Sequence, residues 1–221
     1  MKNITNIELT NVCNRSCSFC GIPYMTRSKG FMSEEVFDRV VDLLVALEQD
    51  SVNIIFYGES TLHPRLLEYC KKLNDNNILP CLTTNGDYLT KELILELSTI
   101  KLKELVISPH APLERRNSLL EQCKISGIES VRLEEEYIEE DATLNLRSDR
   151  EVPQKLIEKC PFLVKERAVV LWDGRVTACC VDYDGLGVFS NVFDPNILEL
   201  KPIPFKSCNT CDLIRKINRL N

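Results

Sequence analysis

The amino-acid sequence predicts an α/β fold, an open, partial (β/α)6 barrel of the TIM-like kind, followed by a small C-terminal module with a β-hairpin and a helix. Short apolar segments recur roughly every 26 residues, about the length of one strand and its returning helix, and amphipathic helical patterns lie between them. A chain of 221 residues is too short for a full barrel of eight such units. We therefore expect a parallel sheet that stays open, with its chemistry at the carboxyl ends of the strands.

The predicted elements alternate along the chain. Strand candidates are residues 6–9, 52–56, 78–82, 105–107, 130–133 and 143–146. Helical patterns cover residues 36–44, 66–73, 89–97 and 113–123. Ser33 is predicted to cap the first helix, because a serine hydroxyl accepts a hydrogen bond from an unpaired backbone N–H of the first turn.

The pattern changes near Cys160. Apolar residues on both sides of Asp173-Gly174 predict a hairpin with a two-residue turn. Glycines and prolines then interrupt any long element before an amphipathic tail at 208–220. The apolar content of this part is low, so we expect its cysteines to hold it together. The sequence thus divides into a core domain, 1–150, and a cysteine-rich domain, 151–221.

Composition excludes several classes of protein. With 44% apolar and 27% charged residues, the chain has the profile of a globular protein rather than a disordered or fibrous one. A net charge of −6 argues against a nucleic-acid partner. The N-terminus lacks the apolar core of a signal peptide, and the longest apolar stretch, 40–47, is too short to span a bilayer. We therefore expect a cytoplasmic protein with no membrane partner.

The chain contains 11 cysteines, and most of them fall into two groups. A reducing cytoplasm disfavours disulfides, so clustered thiols there indicate metal binding or redox chemistry. The first group, Cys13, Cys17 and Cys20, follows the first strand directly. Three thiols in so short a loop can bind three corners of a cubane iron–sulfur cluster and leave one iron open. A zinc knuckle with a distant fourth ligand, or a cysteine-rich loop without metal, remains the alternative.

Three motifs in this order resemble those of the radical S-adenosylmethionine superfamily. They are Cys13-x3-Cys17-x2-Cys20 with Phe19 before the last cysteine, residues 57–60 (Tyr-Gly-Glu-Ser), and residues 83–86 (Thr-Thr-Asn-Gly). The second and third motifs end successive predicted strands, where the family has its Gly-Gly-Glu and Thr-Asn-Gly sequences. The resemblance covers nearly the whole chain.

The resemblance implies that a 4Fe–4S cluster on these cysteines binds S-adenosylmethionine. It implies that Gly58-Glu59 contacts the methionine amino group and that Phe19 lies against the adenine. Ser108 would reach the ribose or the carboxylate, and Arg132 would pair with the carboxylate through its planar guanidinium. The full set of cofactor contacts implied by the resemblance is Phe19, Tyr57, Gly58, Glu59, Asn85, Ser108 and Arg132.

The second group of cysteines has a specific spacing. Cys160 is followed by Gly174 and Cys179, and Cys208-x2-Cys211 completes a set of four thiols. Four thiols can saturate a second 4Fe–4S cluster or a structural zinc ion. The spacing resembles the Twitch domain, a shortened form of the SPASM auxiliary-cluster domain, and this resemblance implies a second cluster used for electron transfer. Cys180 is an alternative ligand, a proton donor or acceptor, or a buried bystander, and we favour the last.

Other residues have both a functional and a structural interpretation. His110 follows the fourth strand as a possible base or substrate anchor, although a loop histidine without a catalytic role is more common. The acidic residues within 134–141 are either a solvated face or a contact for a cationic substrate. His63 is predicted to be structural. Cys70, Cys81 and Cys123 are predicted to be core residues.

Together these observations predict an enzyme in which a 5′-deoxyadenosyl radical takes a hydrogen atom from the substrate. We expect oxidation of a small polar metabolite, with electrons from a flavodoxin- or ferredoxin-type reductant. Modification of a ribosomally made peptide is the alternative within this class, although only twelve residues precede Cys13, too few for a leader-recognition domain. A non-catalytic iron–sulfur or zinc protein is the alternative from another class.

Overall fold

The fold is built on one mixed sheet of eight strands, seen in a computed structural model that describes residues 1–134, 151–211 and 213–214. The strands are β1 (Asn3–Ile7), β2 (Ser51–Ile54), β3 (Leu79–Thr84), β4 (Glu104–Ile107), β5 (Val131–Leu133), β6 (Arg167–Val170), β7 (Arg175–Thr177) and β8 (Val188–Asn191). Their order across the sheet is β5-β4-β3-β2-β1-β6-β7-β8.

Parallel pairing joins the first five strands, as the alternation of strands and helices predicts. Each of β1 to β4 pairs in parallel with the next, and β6 pairs in parallel with the other side of β1. In the part of the chain that the structure describes, β5 and β8 are the two edges, so the sheet stays open. The strand predicted at 143–146 lies outside the described residues.

Four helices return the chain between the parallel strands. They are α1 (Glu34–Ala46), α2 (Leu66–Asp75), α3 (Lys91–Leu97) and α4 (Leu113–Ile125), and the short helices α5 (Gln154–Ile157) and α6 (Pro161–Val164) follow them. The predicted cap is confirmed, because the Ser33 side chain accepts a hydrogen bond from the Val36 N–H. Among the described residues, none of these helices has the length and apolarity needed to cross a membrane.

The main core lies between the helices and the inner side chains of the strands. Phe37 of α1 stacks on Tyr69 of α2, with ring centroids 3.9 Å apart. Cys70 and Cys123 are buried in this core, as predicted, and burial raises the pKa of their thiols to about 12 and about 11. The prediction for Cys81 is wrong: it is only half-buried, because β3 alternates its side chains and Cys81 lies on the less buried face.

The C-terminal hairpin continues the same sheet, since β6 pairs with β1. Its turn differs from the predicted two-residue type. The Leu171 N–H donates to the Arg175 carbonyl at 2.8 Å, so residues 172–174 form a three-residue loop. Gly174 ends this loop with a φ of 83°, a left-handed conformation that glycine adopts without steric cost.

A buried ion pair connects three segments around the end of β1. The Arg27 guanidinium donates to both oxygens of the Glu8 carboxylate, and the two side chains are only 4% and 0% exposed. Arg27 Nε also donates to the Tyr183 carbonyl at 2.6 Å, and the Trp172 N–H donates to Glu8 Oε2 at 3.3 Å. The loop after the first cysteines and the loop after Cys179 and Cys180 are thereby fixed to the same strand.

Replacement of this guanidinium tests how much the fold depends on the pair. We expect Arg27→Met to lower the free energy of unfolding by about 3–5 kcal/mol, because it leaves the buried Glu8 carboxylate without a counter-charge. Urea unfolding at pH 7 measures the loss. Arg39→Met is the matched control: it removes an exposed pair with Asp42 and should cost less than about 1 kcal/mol. Equal losses in the two variants would contradict the assignment.

Candidate active site

One cavity of about 210 Å³ lies at the carboxyl ends of β1 to β4. The three cysteines of the first group line it, together with residues that follow each of the next three strands. Of the residues proposed from the sequence to contact the cofactor or take part in catalysis, those that line this cavity are Phe19, Tyr57, Gly58, Glu59, Asn85, Ser108, His110 and Cys180. The fold thus brings together side chains that are far apart in the sequence.

The first cysteines lie on the loop after β1, and five residues separate the end of the strand from Cys13. The Cys20 N–H donates to the Cys17 carbonyl at 3.1 Å, and the Arg15 N–H donates to Cys13 Sγ at 3.4 Å. Partial burial raises the pKa of the Cys13 and Cys20 thiols. Without metal, these thiols are therefore held in their protonated form at neutral pH, and binding of iron would release protons.

Gly58 allows the chain after β2 to pass directly over the end of β1. Its φ is 105°, and a Cβ at this position would lie 2.1 Å from the Thr10 carbonyl oxygen. The next N–H, that of Glu59, donates to the Val12 carbonyl at 2.9 Å. No residue with a side chain fits such an approach, which explains the glycine in this motif.

Glu59 is the polar centre of the cavity wall and is 3% exposed. Its Oε1 accepts from the N–H and hydroxyl of Thr61, at 3.0 and 2.6 Å, and from Thr84 Oγ1 at 2.8 Å. Its Oε2 accepts from the Asn85 N–H at 2.7 Å. These bonds fix the carboxylate between β2 and β3, and Oε2 retains lone pairs for the amino group of a ligand.

Aromatic rings form two other parts of the wall. Phe19 stacks on His110, with ring centroids 5.3 Å apart and planes inclined by 18°. Burial, followed by the charge of Arg15, lowers the pKa of His110, so its imidazole is neutral at pH 7. Tyr57 is buried, and its ring meets that of Tyr183 edge-on at 6.0 Å. Tyr183 belongs to the loop that follows Cys179 and Cys180.

The structure keeps Ser108 at the cavity but places Arg132 elsewhere. Ser108 is buried, and its N–H donates to the Thr84 carbonyl at 2.8 Å. Arg132 does not line the cavity: its Nε donates to Glu104 Oε1 at 2.7 Å, at the amino end of β4. The carboxylate contact proposed for Arg132 is therefore absent from this geometry, because the side chain extends towards the amino ends of the strands, away from the cavity.

Sequence reasoning missed an ion pair beside the cysteines. Arg15, which lines the cavity, donates through Nε and Nη2 to the two oxygens of Asp87, each at 2.7 Å. Asn14 Nδ2 donates to Asp87 Oδ2 at 2.6 Å, and Asn85 Nδ2 donates to Asn14 Oδ1 at 2.9 Å. Asp87 comes two residues after Asn85 in the third motif, and only its position at a strand end could have pointed to it.

The second group of cysteines lines a separate, mostly apolar cavity of about 220 Å³. Its thiols belong to Cys160, Cys179, Cys180, Cys208 and Cys211. Burial raises the pKa of the Cys208 thiol to about 11. Among the described residues, no three Cys, His, Asp or Glu side chains converge as a single metal ion requires. Thiols that share one zinc ion lie about 3.8 Å apart, because each Zn–S bond is about 2.3 Å long.

Cys180 lines both the first and the second cavity. A hydrogen bond with the Cys179 thiol lowers the pKa of Cys180. The role of Cys180 as a ligand, a proton donor or acceptor, or a buried bystander stays a prediction. Its neighbour Cys179, by contrast, lines only the second cavity.

Two further predictions concern residues outside the cavities. His63 is structural, as predicted: its Nε2 lies 3.0 Å from the Met32 carbonyl oxygen, and its Nδ1 accepts from the Arg65 N–H at 3.2 Å. Of the acidic run, Glu134 is described, and its carbonyl accepts from Arg116 Nη1 at 3.2 Å. The remaining acidic residues, within 135–141, lie outside the described residues.

Two curated proteins have sequences similar to this chain. The tungsten-containing aldehyde ferredoxin oxidoreductase cofactor-modifying protein of Pyrococcus furiosus is 27% identical over 97 residues, which is 42% of this chain and 27% of that protein. The S-adenosyl-L-methionine-dependent 2-deoxy-scyllo-inosamine dehydrogenase of Niallia circulans is 23% identical over 212 residues, 90% of this chain and 81% of that protein. The chain thus spans about a quarter of the first relative and about four-fifths of the second.

Solved structures share the fold. BtrN in complex with AdoMet and 2-DOIA superposes with a TM-score of 0.72 at 20% identity, over 90% of this chain and 81% of BtrN. Streptococcus suis SuiB bound to precursor peptide SuiA gives a TM-score of 0.63 at 12% identity, over 92% and 65% of the two chains. The family model for the radical SAM superfamily matches residues 7–134, more than half of the chain. This chain therefore belongs to the radical S-adenosylmethionine superfamily.

Proposed function

We propose that this chain is a radical S-adenosylmethionine enzyme that oxidises a small polar molecule with the help of two 4Fe–4S clusters. The observation that carries the proposal is the first cavity. There Cys13, Cys17 and Cys20 line the same space as the Glu59 carboxylate and Ser108. Three thiols and a fixed carboxylate beside them suit a cluster with one open iron and a ligand that carries an amino group.

The first cluster, when bound and reduced, supplies the electron that cleaves the sulfonium of S-adenosylmethionine to give a 5′-deoxyadenosyl radical. The protein binds and orients this cofactor. Glu59 Oε2 would accept from the methionine amino group, and Thr61, Thr84 and the Asn85 N–H hold the carboxylate in place for it. The face of the Phe19 ring packs against the adenine, and the stack with His110 restricts the movement of that ring.

The second cavity suits a cluster that is fully ligated by protein. We assign Cys160, Cys179, Cys208 and Cys211 as its ligands, because these four cysteines line the second cavity and not the first. Apolar side chains, Phe162, Leu163, Phe205 and Ile214 among them, surround the thiols and exclude water. A fully ligated cluster in such surroundings is suited to accept one electron, not to bind substrate.

One hydroxyl on the less buried face of the sheet supports a polar substrate. The register partners Asn6, Asn53, Cys81 and Glu104 form a row of polar side chains across β1 to β4. Thr83 lies two residues after Cys81, on the same face of β3, and lines the first cavity. A molecule in the first cavity would meet the hydroxyl of Thr83, whereas Asn53, Cys81 and Glu104 line a different cavity.

The reaction that fits these features converts an alcohol to a ketone. The substrate carbon would give a hydrogen atom to the 5′-deoxyadenosyl radical, and a second cluster held by Cys160, Cys179, Cys208 and Cys211 would supply the acceptor for one electron while one proton leaves to solvent. The similarity to the Niallia circulans dehydrogenase supports this reaction. We propose a flavodoxin- or ferredoxin-type protein as the reductant, because the first electron must be strongly reducing.

Peptide modification is the second candidate. The similarity in fold to SuiB bound to its precursor peptide favours it, because the open sheet offers room for an extended chain. A non-catalytic iron–sulfur or zinc protein is a weaker candidate, since an electron carrier has no use for a buried carboxylate beside three thiols. Substrate screening with aminocyclitols and with peptides, scored by 5′-deoxyadenosine formed above the background rate, separates the first two.

Loss of one thiol from the first cavity tests the site of cofactor cleavage. Cys17→Ala should reduce 5′-deoxyadenosine formation to the level of a protein-free blank, because two thiols do not hold the cluster. Chromatography of reactions with dithionite and S-adenosylmethionine measures the 5′-deoxyadenosine that is formed. Cys81→Ala is the matched control, since Cys81 lines neither the first nor the second cavity, and should keep wild-type activity. Activity in Cys17→Ala would contradict the assignment.

Loss of one thiol from the second cavity tests the second cluster. We expect wild-type protein to bind about eight iron atoms per chain and Cys208→Ala about four, with 5′-deoxyadenosine formation retained. Iron and acid-labile sulfide assays after anaerobic reconstitution give the counts, with Cys81→Ala again as the control. About four iron atoms and one zinc ion in the wild-type chain would instead identify the second cavity as a structural zinc site.

A further inference from the structure

The ion pair between Arg15 and Asp87 is built more firmly than a surface salt bridge. The guanidinium meets the carboxylate with two parallel bonds of 2.7 Å, the geometry that gives such pairs most strength and specificity. Arg15 Nη1 also donates to the carbonyl of His110. The side chains of Arg15 and Asp87 are 27% and 20% exposed, so both lie largely within the protein.

Asp87 is held from several sides. Its Oδ2 accepts from Asn14 Nδ2 at 2.6 Å as well as from Arg15. Its N–H donates to Asn85 Oδ1 at 2.9 Å, and its carbonyl accepts from Arg115 Nη2 at 3.3 Å. The carboxylate therefore has one orientation, and the guanidinium attached to it has one position.

That position is beside the thiols of the first group. Arg15 lies between Cys13 and Cys17 in the sequence, lines the same cavity, and donates its backbone N–H to Cys13 Sγ at 3.4 Å. The charged side chain of Arg15 is thus fixed in the wall of the cavity that the thiols also line, and Asp87, which holds its guanidinium, lies outside that lining. Bonds from the loop to the ends of β3 and β4 hold this arrangement.

We propose that Arg15 and Asp87 act together as positioning residues that set the reduction potential of the first cluster. This inference rests on the proposed binding of that cluster by Cys13, Cys17 and Cys20. Reduction adds negative charge to the cluster, so a fixed cation beside it favours the reduced form and a nearby carboxylate opposes it. The two residues therefore affect the potential in opposite directions, although both hold the loop in the same place.

Opposite shifts distinguish this role from a purely structural one. Arg15→Gln should lower the midpoint potential of the first cluster, because a positive charge is lost. Asp87→Asn should raise it, because the amide keeps the shape of the carboxylate and leaves the guanidinium charge uncompensated. Arg15→Lys retains the charge and should restore most of the potential lost in Arg15→Gln. Arg39→Met removes an exposed charge from α1 and should leave the potential unchanged.

The measurement is a redox titration of the reconstituted full-length protein, followed by electron paramagnetic resonance. The first cluster is recognised as the one whose signal changes when S-adenosylmethionine is added. Shifts of opposite sign in Arg15→Gln and Asp87→Asn support the proposal. No shift, or shifts of the same sign, overturns it. If Arg15→Gln binds no iron, the Asp87→Asn variant alone tests the proposal: a higher midpoint potential supports it, and an unchanged or lower one overturns it.

The same measurements give a different result if the proposed function itself is wrong. If the wild-type chain binds no iron in the first cavity, or no signal responds to S-adenosylmethionine, the proposed function is wrong and the inference falls with it. If the wild-type signal responds but the variants shift its potential together, only the inference is wrong.

Discussion

Parallel pairing of β1 to β4 is the constraint on which the rest of this molecule depends. It brings the carboxyl ends of four strands to one edge, so that the loops after them meet although they start near residues 8, 55, 85 and 108. The close approach of Gly58 to Thr10 and the bonds from Glu59 to Thr84 and Asn85 then lock neighbouring loops together. A shift of one strand by one residue would separate these groups.

The buried pair of Glu8 and Arg27 extends this constraint to the second group of cysteines. Arg27 follows the first group in the sequence and holds the backbone at Tyr183, close to Cys179 and Cys180. Because β6 also pairs with β1, the hairpin that carries Cys179 is part of the central sheet. The two cysteine-lined cavities are therefore fixed relative to each other, with Cys180 in the wall of both.

Sequence reasoning found the parts of the site that depend on local pattern. Strand alternation, the cap at Ser33 and the spacing of the cysteines are all set by neighbours within a few residues. The glycine at 58 and the carboxylate at 59 were recognised because their motif follows a predicted strand and resembles the Gly-Gly-Glu sequence of the radical S-adenosylmethionine superfamily.

The sequence did not predict the contacts that depend on how the chain packs. The partner of Arg132 is Glu104, which lies on the adjacent strand but at its amino end, away from the cavity. No spacing in the sequence reveals which way a long side chain extends. The bond between Arg15 and Asp87 joins residues 72 positions apart. The position of Cys180 depends on the contact between two loops. The predicted domain boundary near residue 150 remains a prediction.

The central claim is that the two groups of cysteines hold two clusters and that only the first leaves an iron open to S-adenosylmethionine. The most direct test is electron paramagnetic resonance of the reconstituted, dithionite-reduced wild-type protein, recorded before and after S-adenosylmethionine is added. The account predicts two cluster signals, of which one changes when the cofactor binds and the other stays the same. Two signals that both remain unchanged, or both change, would contradict it.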